Sequence, residues 1–181
     1  MKLQRASLLL LCCLLPTALA AQEIDVSGLI ADASGKTAKG ASIIQIVIET
    51  YTSAEHSVLL AKELERGMAS LYRAMTHIEK GFVRIGNDIG YPIGYARSET
   101  VDGGIRVTAI LDRPIPMFNV YRSIRSLDHP FGAIQLTLDA SGAGTGRLIP
   151  TASIKFSDGD LAIDSEGTTA FQIVKIKPTK K

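Results

Sequence analysis

The sequence predicts an α+β fold: a curled antiparallel β-sheet, sandwich- or barrel-like, with one helix pair packed on a face. Three observations carry this. Short apolar or alternating runs recur at hairpin spacing between residues 82 and 177, separated by glycine-rich turns. One region, residues 53–80, instead places its apolar residues at helical spacing. No internal repeat and no second domain interrupt the pattern.

The chain opens with Lys2 and Arg5, an apolar run over residues 8–15, Pro16, and the small-x-small site Ala18-Leu19-Ala20. That is the pattern of a secretory signal peptide. The apolar run is shorter than the roughly 20 residues a spanning helix needs, so no membrane insertion is expected after cleavage. Cys12 follows Leu11, where a lipidation site calls for a small residue. The expected plan is a signal peptide over 1–20, an N-terminal strand and flexible loop over 21–40, and a single α+β domain over 41–181. The expected location is the periplasm or the extracellular space.

Cleavage leaves about 160 residues, enough for one domain with a sizeable core. Cys12 and Cys13 leave with the leader, so neither a disulfide nor a thiolate metal site is expected. Removing Lys2 and Arg5 from the 20 basic residues balances them against the 18 acidic ones. A balanced charge argues against nucleic acid as a partner.

Residues 22–30 read as an edge strand with Ile24 and Val26 inward, and residues 31–40 as a small, polar loop. Residues 42–51 are β-branched on both faces and predict a doubly covered strand. Thr52-Ser-Ala-Glu55 reads as a capping box. It starts a helix over about 53–66 with Val58, Ala61 and Leu64 inward, closed by Gly67. Met68, Leu71, Tyr72 and Met75 then form an apolar stripe on a second helix, stopped by Gly81.

Short strands are expected at 82–85, 93–100 and 105–111, the last two paired around Val101-Asp-Gly-Gly104. A further strand at 133–138 alternates Ile134, Leu136 and Leu138 with polar residues. Residues 140–146 read as a flexible turn rather than a phosphate loop, since no Lys-Ser/Thr follows the glycines. A hairpin over 151–164 turns at Asp158-Gly159, and residues 171–177 form the last strand.

Between the strands at 105–111 and 133–138 lies a long segment, residues 112–131. Pro114, Pro116 and Pro130 exclude a continuous helix or ladder strand across it. It is rich in large apolar residues and in arginine, so it reads either as a cap on the β core or as the wall of a binding site. Arg113, Arg122 and Arg125, with Arg97 and Arg106 on the preceding hairpin, could form an anion clamp. They could equally pair with Asp112, Asp128, Glu99 and Asp102. Asp128-His129 could serve as a general base, or as a turn before Pro130. His56, His77 and His129 have no partner at metal-ligand spacing, so no metal and no cofactor are expected.

Several patches carry a resemblance. They are Ile46-Val-Ile-Glu-Thr-Tyr-Thr-Ser-Ala-Glu55, Gly90-Tyr-Pro-Ile-Gly-Tyr-Ala-Arg97, Asp112-Arg-Pro-Ile115, and Asp128-His-Pro-Phe131 with Gln135-Leu-Thr-Leu-Asp139. Together they resemble a family of uncharacterised secreted bacterial proteins with no established activity. The resemblance implies a secreted bacterial location and a single domain. It also implies an aromatic such as Trp near position 51 in relatives, and often Tyr near 129, which weakens His129 as a catalytic residue.

The leading expectation is a non-enzymatic domain that binds a small molecule or an envelope partner. Arg113, Arg122, Arg125, Tyr121 and Phe118 are its expected ligand-binding residues. One alternative is a hydrolase or isomerase using His129 and Asp128 with an arginine anion clamp. Another is a structural module that assembles through exposed strand edges.

Overall fold

Strand pairing is antiparallel throughout, and the sheet closes on itself. The computed structural model describes residues 23–32, 35–36, 42–116, 130–157, 159–164 and 169–179. Its elements are β1 (Ile24–Ala31), β2 (Ile43–Ile48), α1 (Ala54–Glu65), α2 (Met68–Met75), β3 (Gly81–Ile85), β4 (Tyr91–Val101), β5 (Gly104–Leu111), β6 (Phe131–Asp139), β7 (Gly144–Ser157), β8 (Asp160–Asp164) and β9 (Phe171–Pro178).

Strands β1 to β7 follow one another around the sheet; β9 then joins β7 on one side and β1 on the other. The result is a closed eight-stranded barrel, with β8 attached to β7 outside it. Of the forms the sequence left open, the barrel describes the chain better than the sandwich. β1 is not an edge strand, because it pairs with both β2 and β9.

Side-chain alternation explains the core. Ile44, Ile46 and Ile48 of β2, Val107, Ala109 and Leu111 of β5, and Ile134, Leu136 and Leu138 of β6 all point inward. Every barrel strand contributes to this cluster. Eight strands enclose a space that side chains can fill, and here they do.

The outer face of the barrel carries a second apolar cluster. Cross-strand register places Tyr95, Ile110, Ala133 and Ile149 in one row across β4, β5, β6 and β7. Leu60 of α1 and Leu71 and Met75 of α2 pack on it. The helix pair thus lies on one face, as its apolar stripe predicts. Its start differs by one residue from the capping box read in the sequence. The N-cap is Ser53, whose Oγ accepts from the His56 amide at 3.3 Å. Thr52 instead pairs with Ala96 of β4, its Oγ1 accepting from that residue's amide at 3.1 Å. Val58, expected inward, is 48% exposed. The second helix ends at Met75, well before Gly81. Gly81 belongs to β3, where a Cβ would lie 2.0 Å from the carbonyl oxygen of Val47.

The largest difference is β7. Its first half, Gly144 to Pro150, falls in the stretch read as a turn and its sequel. Glycine there serves close strand approach rather than flexibility. A Cβ on Gly144 would sit 1.9 Å from the carbonyl oxygen of Thr137, across the ladder. The roots of the long proline-bearing segment are also tied down. Ile115 is buried in the barrel cluster and its amide donates to the Pro150 carbonyl at 2.9 Å. The Gly132 amide donates to the Arg113 carbonyl at 3.0 Å.

Gly144→Ala should therefore cost about 2–4 kcal/mol, as backbone overpacking does. Gly103→Ala, at a turn with open space around it, should cost about 1 kcal/mol for its positive φ alone. Urea denaturation of both variants checks the ranking. Equal stabilities would contradict the β6–β7 register.

Candidate functional site: a polar groove beneath the outer hairpin

Two further cross-strand rows lie beside the apolar one, and both are polar. Arg97 of β4 pairs with Thr108 of β5, which pairs with Gln135 of β6, then Arg147 of β7, then Gln172 of β9. The next row runs Glu99, Arg106, Thr137, Thr145. Strands spaced about 4.8 Å apart make the five-membered row about 19 Å long.

The hairpin of β7 and β8 turns these rows into the floor of a groove. β7 pairs with β6 as far as Ala152, with a register irregularity opposite Ile149–Ala152. Pro150 sits in that irregularity, where a ladder can spare an N–H. Beyond it β7 pairs with β8 instead. The tip of this hairpin reaches Arg97 on β4. Since β4 is three strands from β7 in the sheet, the hairpin lies across β6 and β5. Ile154 and Leu161 pack into the apolar cluster on the outer face. What remains is a groove of about 750 Å³, floored by the polar rows and walled by Ser157 and residues 160–163.

Asp160 fixes the hairpin. Its Oδ1 accepts from Ser57 Oγ of α1 at 2.6 Å and from Tyr95 Oη of β4 at 2.9 Å. Its Oδ2 forms an ion pair with Arg97. Ser57 and Tyr95 are both buried, and each hydroxyl needs the acceptor that Asp160 supplies. Burial holds the Tyr95 phenol well above its ordinary range, and the hydrogen bond to the Asp160 carboxylate adds to the rise. The tyrosine is therefore a neutral donor at any physiological pH.

Among the described residues the groove has an excess of cationic groups. Arg106 Nη1 lies 3.0 Å from Glu99 Oε1, and Arg97 is matched by Asp160. Arg147 Nη2 donates to the amide oxygen of Gln135 at 2.5 Å, so its charge faces an amide rather than a carboxylate. Thr108, Thr137, Thr145 and Gln172 add neutral donors and acceptors.

The residues singled out from sequence divide into three groups. Arg97 and Arg106 line the groove. Arg113 sits at the end of β5, outside it, with Nε 3.3 Å from Asp112 Oδ1 and the guanidinium 6.0 Å from the Tyr91 ring centre. Phe118, Tyr121, Arg122, Arg125, Asp128 and His129 lie outside the described residues. The sequence reading missed Arg147, Gln135, Asp160, Tyr95 and the groove threonines. The available signal was the polar half of each alternating strand, which periodicity alone assigns to solvent.

Among the described residues no group of three or more His, Cys, Asp or Glu could hold a metal. No helix among them is long and apolar enough to cross a membrane. Comparison with known proteins finds no family model, no curated protein and no solved structure that matches the chain.

One acidic group away from the groove is strained electrostatically. The Asp112 side chain is 13% exposed, and its Oδ1 lies near Arg113 without the alignment of a hydrogen bond. Burial raises its pKa, the Arg113 charge opposes the rise, and the Glu79 charge adds to it.

Removing the Asp160 carboxylate should strand two buried hydroxyls. Asp160→Ala is expected to cost about 2–4 kcal/mol by urea denaturation, and Asp160→Asn, which retains one acceptor oxygen, less. An unchanged midpoint for Asp160→Ala would refute the clamp.

Asp112 gives a pH dependence. Its folded pKa is raised, so the native state binds the proton more tightly and this carboxyl favours folding at low pH. The contribution fades as pH rises from the ordinary carboxylate range through the raised value. Asp112→Asn should raise the melting temperature at pH 7 and give no such gain at pH 3; a gain of equal size at both would rule out this origin.

Proposed function

We propose that the chain is a non-enzymatic binding domain of the periplasm or extracellular space, and that its ligand is an elongated, polar molecule carrying negative charge. The likeness to secreted bacterial proteins and the leader-like first twenty residues belong to the same proposal. The observation that carries the binding reading is the pair of polar rows beneath the hairpin, with Arg147 paired to an amide. Surface arginines commonly face water singly. Here three line one groove, and among the described residues two of them are matched by acids, which leaves the charge of Arg147 for a ligand. A rigid floor built on five strands supports recognition better than a loop does.

Native mass spectrometry of the chain purified from a secreting bacterial host tests the reading. The expected result is excess mass that disappears on denaturation, and that is reduced or absent in Arg147→Gln. A clean apo mass, together with no binding of anionic probes at the groove, would overturn it. Retained mass that Arg147→Gln leaves unchanged would move the site elsewhere.

A further inference from the structure

We infer that the groove's occupant is an extended acidic peptide segment that adds to β8 as a further strand; this deepens the binding reading above and rests on it. The first support is the wall of the groove. Asp160, Leu161, Ala162 and Ile163 all line it, although side chains of successive strand residues point to opposite faces. What four consecutive residues share on one side is their backbone edge. β8 pairs with β7 along its other edge, and among the described residues no strand pairs with the edge toward the groove. A row of backbone N–H and C=O groups at a sheet edge is a template for another chain.

The second support is direction and length. The hairpin lies across the barrel strands, so a chain paired with β8 would run along the polar rows rather than over one strand. The row from Arg97 to Gln172 spans about 19 Å, the length of about six residues of extended chain at 3.3 Å each. The third support is the chemistry of the floor. Every second side chain of such a peptide would point down onto Thr108, Gln135 and Arg147. The threonine and amide side chains can bond polar groups, and Arg147 offers the positive charge that an acidic side chain would meet. Backbone pairing would supply affinity, and the acidic side chain on Arg147 would supply selectivity. A compact inorganic anion would satisfy Arg147 but leave the β8 edge to water.

The test uses the secreted chain and three blocked hexapeptides: one alternating glutamate with valine, the same peptide with alternate amides N-methylated, and one alternating lysine with valine. Calorimetry measures binding, and amide hydrogen exchange by NMR locates it. The glutamate peptide is expected to bind saturably and to slow exchange at the amides of Leu161 and Ile163, which point away from β7, while the Ala162 amide, already paired with β7, stays as it was. The N-methylated and lysine peptides should bind at least 10-fold more weakly. Arg147→Gln should weaken the glutamate peptide by a similar factor while leaving the hairpin's exchange pattern intact. Equal binding of the N-methylated peptide would overturn strand addition and leave an anion site. No binding of any peptide, with a retained ligand still seen by native mass spectrometry, would overturn the peptide and leave the groove with another occupant. No peptide binding and a clean apo mass would overturn both readings.

Discussion

The Asp160 carboxylate is the joint on which the outer half of this molecule depends. It is the first residue of β8, yet its partners are on α1 and β4. A carboxylate taken partly out of water is stable only when its oxygens are well bonded, and here two hydroxyls and a guanidinium do that. The dependence is mutual. Tyr95 and Ser57 are buried polar groups that would be unsatisfied without it. One interaction therefore anchors the hairpin tip, fixes the entry of the helix pair against the barrel, and orients Arg97 at the head of the polar row.

Barrel closure determines why the groove is outside. Closing the sheet removes strand edges and leaves an interior that eight strands of isoleucine, leucine and valine fill. Polar chemistry must then sit on the convex outer surface, which offers little concavity of its own. The chain supplies concavity by letting β7 outrun its barrel partners and fold back with β8. The apolar row Tyr95, Ile110, Ala133 and Ile149 gives that hairpin and the helices something to pack on. The adjacent rows stay open because Thr108, Gln135 and Arg147 gain nothing from apolar cover. The boundary between covered and open surface is thus written residue by residue along β4 to β7.

Much of the fold could be read from the sequence. Strict alternation in Ile134-Gln-Leu-Thr-Leu138 and the Asp102-Gly103 turn mark their strands, because both signals are local. Two features escaped for physical reasons. Gly144 and Gly146 read as flexibility, but their role is set by the carbonyl oxygens of Thr137 and Gln135 on the neighbouring strand. The capping assignment shifted from Thr52 to Ser53 because Ala96, a distant residue, engages Thr52. The groove was less legible still. Arg97 and Arg106 drew notice as charges, whereas Arg147 and Asp160 have no meaning until the register aligns β4 with β7 and the hairpin brings Asp160 back to Arg97. The long proline-bearing segment attracted attention through composition, and its roots at Ile115 and Gly132 do pack into the barrel wall.

The central claim is that the Asp160 joint holds the β7–β8 hairpin over the barrel face and so creates the groove. Pulsed electron spin resonance measures this most directly, with spin labels at Asn87→Cys in the turn between β3 and β4 and at Lys155→Cys on the hairpin. Both positions are exposed, and the two cysteines are Cys12 and Cys13, so a chain prepared from Ala21 onward carries no competing thiol. The account predicts one narrow distance distribution for the otherwise unaltered chain, and a broadened distribution when Asp160→Ala is added. A narrow distribution that survives Asp160→Ala unchanged would contradict it, because the hairpin would then be held by packing alone.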